Sequence, residues 1–289
     1  MSLTMGARPN PAPAFPGQPT ARTTETYRQH FAEFVAVNRG IDASRALELV
    51  SRAEGQFLGG WGGQDYRRFT ELALETFRPL YDETSDAELI RTYQFHGPVD
   101  FLRMIGYSIP TLQDIGPIIK RLAGNSKVEI LDYGCGLAHR TFAVARYLLT
   151  RNVDVKLTFV DIQRDLHFDF LNFLCRKHGI NHDFIEITAE ELYPPLPAHD
   201  YSDNVSVLEH IRDPLAVIEN TNRSLRPGGV FLAAIEDEIE EMMHISPNLK
   251  AVRDRLAALG YIQVAKCCGV PLLQKPLESS RQFETGRSA

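Results

Sequence analysis

The chain has 289 residues, of which 44% are hydrophobic and 24% are charged, and its formal net charge is −6. These proportions are typical of folded globular proteins and exclude a wholly disordered chain. The apolar run from Val230 to Ile235, one of the longest that polar residues do not interrupt, is far shorter than the ~20 residues that a membrane-spanning helix needs. We therefore expect a soluble protein with a sizeable core and no membrane span.

The acidic excess lies in the second part of the chain. Residues 1–127 carry 14 Lys or Arg and 14 Asp or Glu, whereas residues 128–289 carry 17 and 23. Because a basic face supplies most of the affinity for phosphates, neither part favours nucleic acid as a partner. The four cysteines show no CxxC spacing, which favours a reducing compartment and therefore a cytoplasmic protein.

The first 127 residues predict a tail followed by helices. Residues 1–23 are rich in proline and poor in apolar residues, so we expect them to be disordered, as we do for the polar tail at 278–289. Apolar residues between 24 and 123 recur at helical spacing, without strand alternation. The predicted helical segments are Tyr27–Val35, Ala46–Val50 after a cap at Asp42, Tyr66–Leu80, Asp86–Phe95 and Thr111–Leu122. We expect residues 24–127 to form an all-helical extension.

From Val128 onward, short apolar strands alternate with helices. The predicted strands are Val128–Asp132, Val155–Val160, Asp183–Ile187, Val205–Leu208, Val230–Ile235 and Ile262–Lys266. The predicted helices are Arg140–Leu149, Arg164–Lys177, Pro214–Leu225 with Asp213 as its cap, and Leu249–Leu259, and Pro227-Gly228-Gly229 is a predicted turn. This alternation predicts that residues 128–277 form an α/β domain, a doubly wound, Rossmann-like and mostly parallel sheet of about seven strands.

A glycine-rich turn follows the first strand, where ligands bind in sheets of this kind. In the segment Asp132–His139, glycines stand at 134 and 136, and the next small residue is Ala138. A dinucleotide fingerprint needs a small residue at 139, so His139 disfavours a nicotinamide-dependent oxidoreductase. The spacing instead resembles the first motif of class I S-adenosylmethionine-dependent methyltransferases. That family usually has Gly where this chain has Ala138, a change that adds only one methyl group.

Four later segments extend the resemblance in the order in which the family has them. Asp161 ends the second strand, where the family has the acid that accepts hydrogen bonds from the ribose hydroxyls. Ile187–Leu192 resembles the adenine-contacting segment, with Thr188 where Asp is common. Asp200–Ile211 resembles the fourth-strand motif, and Arg226–Leu232 resembles the turn and fifth strand. The resemblance implies S-adenosylmethionine as the cofactor. It assigns these residues to the cofactor site: Asp132, Gly134, Cys135, Gly136, Ala138, Asp161, Ile162, Thr188, Ala189, Glu190 and Val207.

Glu209 and His210 are the candidate catalytic residues, because the end of the fourth strand faces the methyl group in this fold. An imidazole accepts protons near neutral pH, so His210 is the preferred general base, whereas a purely structural role for the pair is the alternative. Quinone-biosynthesis O-methyltransferases of the family have Glu-x-x-Glu-His here, which can hold a divalent ion. Ser206 replaces the first of these acids, so we expect no metal.

Two other regions contain polar groups near the expected site. The acidic run at 236–241 and the following His244 lie after the fifth strand, and they form either a site for an ion or cationic substrate or a solvated face. The resemblance implies that the helical extension at 24–127 is a cap over the substrate site. In this helical cap, His96 and Tyr107 are candidates for lining the substrate site or for packing in the core. The resemblance implies transfer of a methyl group to a hydroxyl, amine or carbon of a small molecule. A non-catalytic subunit that binds the cofactor or a partner protein is the alternative.

Overall fold

A seven-stranded sheet forms the centre of the computed structural model, which describes residues 26–58, 84–162, 165–236, 244–246 and 248–277. The strands are β1 (Lys127–Tyr133), β2 (Asp154–Ile162), β3 (Asn181–Ile187), β4 (His199–Asn204), β5 (Leu225–Ala233), β6 (Ile262–Cys267) and β7 (Val270–Gln274). Their order is β3-β2-β1-β4-β5-β7-β6; the first five pair in parallel, and β7 is antiparallel to both β5 and β6. The predicted fold class is confirmed.

Helices precede the sheet and connect its strands. The described helices are α1 (Tyr27–Arg39), α2 (Ala43–Leu58), α3 (Asp86–Met104), α4 (Leu112–Leu122), α5 (His139–Thr150), α6 (Asp165–His178), α7 (Pro214–Ser224) and α8 (Lys250–Ala258). Each helix in the described ranges is too short or too polar to serve as a transmembrane segment. Before residue 127, the described ranges contain one extended pairing, the single bridge between Thr26 and Ser108. The predicted helix Tyr66–Leu80 and both predicted tails lie outside the described residues.

Local sequence signals explain where the helices begin. Asp42 accepts a hydrogen bond from the backbone N–H of Arg45 at 2.8 Å, and Asp213 accepts one from Ala216 at 3.1 Å, so both predicted caps are confirmed. Ser85 and Glu88 form a reciprocal capping box at the start of α3. That helix continues well beyond the predicted end at Phe95, so the segment that contains His96 is helical.

The predicted fourth strand, Val205–Leu208, is wrong. The strand is formed by the preceding, more polar residues His199–Asn204, and Leu208–His210 form a short 3-10 turn beyond it. As a result, Glu209 and His210 lie several residues past the end of β4 rather than at its carboxyl end.

The polar strand β4 is stable in the core because its side chains satisfy one another. Arg140 donates two hydrogen bonds to the Asp203 carboxylate, at 2.8 and 3.2 Å, and the Tyr201 hydroxyl donates a third at 2.7 Å. The Ser202 hydroxyl donates to Asn204 at 2.9 Å. Buried polar groups cost little when they are paired, and hydrophobicity alone does not detect such a strand.

The end of the sheet also differs from the prediction. Strand β5 begins at Leu225, so the predicted turn Pro227-Gly228-Gly229 belongs to the strand, and the strand ends at Ala233 rather than Ile235. The sequence analysis identified no strand at β7. A two-residue turn joins β6 to β7, and its residues Cys268 and Gly269 have φ values of 51° and 85°. Two consecutive positive φ values characterise the tight turn that best matches the twist of a hairpin.

The N-terminal helices share one hydrophobic core with the sheet and its helices. Phe31 of α1 and Phe101 of α3 lie with their ring centroids 4.7 Å apart, and both contact Phe170 of α6 at 5.5 and 5.6 Å. The ring of Tyr27 stacks on His139 at the start of α5, at 4.2 Å and an interplanar angle of 20°. The first helices therefore pack against the part of the sheet domain that surrounds the glycine-rich turn.

His139 joins these two parts in a half-buried position, enclosed by side chains of both. Its Nε2–H donates a hydrogen bond to the carbonyl oxygen of Met104, the last residue of α3, at 2.9 Å. Burial lowers the pKa of His139 from 6.5 to about 4, because a charged imidazole loses its hydration there. The imidazole therefore remains neutral in the folded protein, whereas it titrates near 6.5 in the unfolded chain.

We predict that His139 makes the folded state sensitive to acid. Below pH 6.5 the unfolded chain binds a proton that the folded chain excludes, so the free energy of unfolding decreases as the pH falls towards 4. The shift corresponds to about 3 kcal/mol of stability lost over this range. In His139→Gln, urea unfolding at several pH values is expected to show a flatter decrease, by about that amount. His182→Gln, which changes a half-buried histidine on β3, is the control, and equal slopes in His139→Gln and wild type would contradict the prediction.

Candidate functional site

The glycine-rich turn lies at the carboxyl end of β1 and is held in place by Asp161 at the end of β2. The Asp161 carboxylate accepts a hydrogen bond from Gly136 N–H on one oxygen at 2.9 Å, and from Ile162 N–H on the other at 2.8 Å. The Cys135 thiol lies 3.8 Å from the same carboxylate. Four of the residues that the sequence assigns to the cofactor site thus form one connected group around a carboxylate that is 7% exposed.

Gly134 packs directly against Val207. A Cβ atom at Gly134 would lie 2.5 Å from Cγ2 of Val207, which no real side chain tolerates, and the φ angle of 66° is in the left-handed region. Both residues were assigned to the cofactor site from sequence, and the structure brings them into contact. Glycine is required here by close packing as well as by backbone conformation.

Ala138 carries a conformational cost that the sequence does not reveal. It precedes α5 with a φ angle of 51°, where a residue with a Cβ atom is less stable than glycine by about 1–2 kcal/mol. The departure from the family's usual glycine is therefore larger than the single added methyl group suggests.

Asp132 lies behind the turn, deep in the protein. Its carboxylate accepts a hydrogen bond from the Thr141 hydroxyl of α5, a partner that the motif does not contain. Burial, together with the nearby carboxylate of Asp203, raises the pKa of Asp132 well above its usual value. In this structure, Asp132 connects β1 to the first turn of α5.

The segment after β3 forms the third side of the site. Thr188 and Ala189 are half-buried and Glu190 is exposed. The Thr188 hydroxyl accepts a hydrogen bond from the backbone N–H of Glu191 at 3.1 Å, so it stabilises its own turn. The Tyr133 hydroxyl, at the end of β1, donates to the carbonyl oxygen of Leu192 at 3.2 Å and holds this segment beside the glycine-rich turn.

The Glu209–His210 pair receives a contact from the N-terminal helices. Nε2 of His210 lies 3.9 Å from Oε1 of Glu209, which is 2% exposed. On the other side of the ring, the hydroxyl of Tyr93 in α3 lies 3.2 Å from Nδ1. Sequence reasoning did not identify Tyr93, because its distance from His210 along the chain hides their proximity in the fold.

His244 joins the same group from the segment after β5. Its ring centroid lies 4.9 Å from that of His210 with an interplanar angle of 75°. The N–H groups of the next two residues, Ile245 and Ser246, both donate to the backbone carbonyl of Glu209, at 2.7 and 2.9 Å. Glu209, His210 and His244 each offer one ligand atom, and these atoms lie within 4.8 Å of one another.

Helix α3 extends from this group to the glycine-rich turn. Near its start, Asp86 forms an ion pair with Arg212 at 3.2 Å, and Tyr93 then reaches His210. At its end, Sδ of Met104 lies 3.2 Å from the position that a Cβ atom of Gly136 would take. The sequence analysis did not identify these contacts.

The two cap residues proposed for the substrate site have different outcomes. Tyr107 is 44% exposed, with its ring 5.9 Å from that of His139, so a core role for Tyr107 is wrong. The side chain of His96 lies outside the described residues. Whether either residue contacts a substrate stays a prediction.

Comparison with known proteins identifies the family. Residues 110–252 match the family model described as a methyltransferase domain, a range that contains all the candidate cofactor and catalytic residues. The chain belongs to the class I S-adenosylmethionine-dependent methyltransferases.

The curated relatives are similar to this chain over part of their length. The ubiquinone biosynthesis O-methyltransferase of Pseudomonas aeruginosa is 34% identical over 131 residues, 43% of this chain and 53% of the relative. That of Histophilus somni is 27% identical over 114 residues, 37% and 44% respectively. The chain thus spans about half the length of the curated relatives it matches.

Among solved structures, an O-methyltransferase from neocarzinostatin biosynthesis has a similar fold. That protein was crystallised with S-adenosylmethionine and 2-hydroxy-5-methyl naphthoic acid. It is 15% identical, has a TM-score of 0.48, and the match covers 87% of this chain and 93% of that one.

The contact between Gly134 and Val207 predicts a strong coupling between two substitutions. Gly134→Ala is expected to destabilise the methyltransferase by about 2 to 4 kcal/mol, because it adds a clash to an unfavourable φ angle. Val207→Ala removes the clashing methyl groups, so the double variant should be less destabilised than the sum of the two single variants by about 1 to 3 kcal/mol. Urea unfolding of all four proteins measures this difference, and additive effects would show that the two residues do not pack as described.

Proposed function

We propose that this methyltransferase binds S-adenosylmethionine across the glycine-rich turn and transfers its methyl group to a hydroxyl of a small molecule at the Glu209–His210 pair. The observation that carries the proposal is the placement of Asp161, buried at the end of β2 and bonded to Gly136. The names of the curated relatives, which are O-methyltransferases, support oxygen as the acceptor atom.

We propose that the carboxylate of Asp161 binds the diol of a ribose. Its two oxygens accept backbone hydrogen bonds from Gly136 and Ile162, and the Cys135 thiol lies 3.8 Å from the oxygen that Gly136 contacts. A carboxylate oxygen has two lone pairs and accepts more than one hydrogen bond. Because S-adenosylmethionine carries no phosphate, the site needs no cluster of cationic side chains, in agreement with the acidic second part of the chain.

The chemistry is an in-line displacement, in which positioning contributes much of the rate. When bound, the cofactor supplies a methyl group on a positively charged sulfur. In our proposal the Glu209–His210 pair holds the acceptor hydroxyl and assists the loss of its proton. Tyr93 and the rest of α3 exclude water from the acceptor. The acceptor oxygen forms the new C–O bond, the C–S bond breaks, and its electron pair goes to sulfur. The products are a methyl ether and S-adenosylhomocysteine.

We also propose a reducing, cytoplasmic location. All four cysteines lie in the described ranges as free thiols, with Cys135, Cys175 and Cys267 buried and Cys268 exposed. Free thiols persist where thiol reductants are abundant.

Calorimetric titration with S-adenosylmethionine tests the cofactor part of the proposal. We expect one molecule to bind per chain. Asp161→Asn replaces part of an acceptor carboxylate with an amide donor, and we expect it to weaken binding by about 10- to 100-fold. Asp183→Asn, at an exposed position of β3, is the matched control and should bind as the wild type does. Absence of binding to the folded wild type, or equal affinity in Asp161→Asn, would refute the proposal.

Methyl transfer itself is tested with His210→Ala. With a panel of small phenols and catechols, release of S-adenosylhomocysteine by the wild type is expected to exceed that of the variant by about 10²- to 10⁴-fold. Cofactor affinity should remain unchanged, and His182→Ala should retain full activity. Cofactor binding without turnover of any acceptor would instead favour the non-catalytic subunit.

A further inference from the structure

We propose that Glu209, His210 and His244 together bind one divalent transition-metal ion, in which His244 supplies the donor that Ser206 does not. The metal's role in methyl transfer rests on the proposed function, whereas its binding does not. The sequence analysis expected no metal because one acid of the Glu-x-x-Glu-His pattern is missing. The structure shows that His244, from the segment after β5, lies beside the Glu209–His210 pair.

The three donors are close enough to converge on one ion. Their ligand atoms lie within 4.8 Å of one another, and the distance from Nε2 of His210 to Oε1 of Glu209 is 3.9 Å. Zinc binds nitrogen and carboxylate oxygen at about 2.0–2.2 Å, which places neighbouring donors of a tetrahedral set roughly 3.4 Å apart. Side-chain shifts of about an ångström are therefore enough to complete the coordination.

The position of His244 beside Glu209 is fixed by the backbone. Both N–H groups that follow His244 donate to the carbonyl oxygen of Glu209, so the segment after β5 is held against the turn after β4. His244 is 8% exposed, and its ring meets that of His210 edge to face. These main-chain hydrogen bonds hold the backbone beside His244 against Glu209, and the three side chains meet there.

Tyr93 completes the arrangement as an outer partner. Its hydroxyl lies 3.2 Å from Nδ1 of His210, and Nε2 of the same ring faces Glu209. Histidines that bind metals commonly have their second nitrogen held in this way. Tyr93 is therefore a positioning residue for the ion, and it links the site to α3.

The burial of the three ligands leaves one side of the site open. Glu209 and His244 are almost fully buried, whereas the His210 side chain is 30% exposed. Three protein ligands with an open fourth position are typical of catalytic rather than structural sites. A divalent ion held there would lower the pKa of an acceptor hydroxyl beside it, and Glu209 and His210 would assist the loss of its proton by holding that ion.

The donor set also selects the metal. Two imidazoles and one carboxylate suit zinc, manganese and iron, whereas magnesium and calcium prefer oxygen ligands only. Replacing a carboxylate of the family's pattern with an imidazole should therefore shift the preference of this chain away from magnesium.

The test is calorimetric titration of the chelator-treated full chain with ZnCl₂, MnCl₂ and MgCl₂, without cofactor. We expect one Zn²⁺ or Mn²⁺ per chain and at least about 10-fold weaker binding of Mg²⁺. Tyr93→Phe should weaken Zn²⁺ binding by about 10- to 100-fold, and His244→Ala by more, because it removes a ligand. His182→Ala is the control and should bind as the wild type does.

Two further measurements keep the result clear if His244→Ala fails to fold. His244→Asp retains a donor and should recover binding with a preference shifted towards Mg²⁺. The absorption spectrum of Co²⁺ bound to the wild type reports imidazole ligands without any substitution. No metal binding by the wild type, or equal Zn²⁺ affinity in wild type and a folded His244→Ala, would refute the metal site. Metal binding without cofactor binding would instead refute the proposed function and leave the metal site standing.

Discussion

The carboxylate of Asp161 is the interaction on which the site depends. The two glycines of the turn after β1 widen the range of conformations open to its backbone. By accepting hydrogen bonds from Gly136 and Ile162, Asp161 makes the end of β2 the support for this turn. Because β1 and β2 are parallel neighbours, their carboxyl ends meet at the same edge of the sheet. The geometry of the candidate cofactor site therefore depends on the strand order.

The N-terminal helices belong to this site in a physical sense. They share the core of the sheet domain, and α3 contacts both the His210 side and the glycine-rich turn. Changes in α3 are therefore expected to affect both the glycine-rich turn and the Glu209–His210 pair, although the helix contributes none of the motif residues. The sequence pattern changes near residue 127, whereas the hydrophobic core continues across that position.

Much of the fold and cofactor site follows from local sequence. The caps at Asp42 and Asp213, the glycine-rich turn and the position of Asp161 depend on neighbouring residues, and the sequence predicts them correctly. β4 escaped prediction because its polar side chains are satisfied by distant partners. The contacts of Tyr93 and His244 with the Glu209–His210 pair escaped for a related reason: they exist only after separate segments have packed together. Interactions between distant segments leave no periodic pattern in the chain.

The position of β7 has a consequence for the order in which the protein forms during synthesis. β7 is the last strand in the sequence, yet it lies between β5 and β6 in the sheet. β6 pairs with β7 and with no other described strand, so it has no place in the sheet until Gln274 has left the ribosome. The parallel part of the sheet, from β3 to β5, has no such delay, because each new strand pairs with a strand that has already been synthesised. We therefore expect strands β1 to β5 to pair first during synthesis. The β6–β7 hairpin is then added as one unit, through the pairing of β7 with β5.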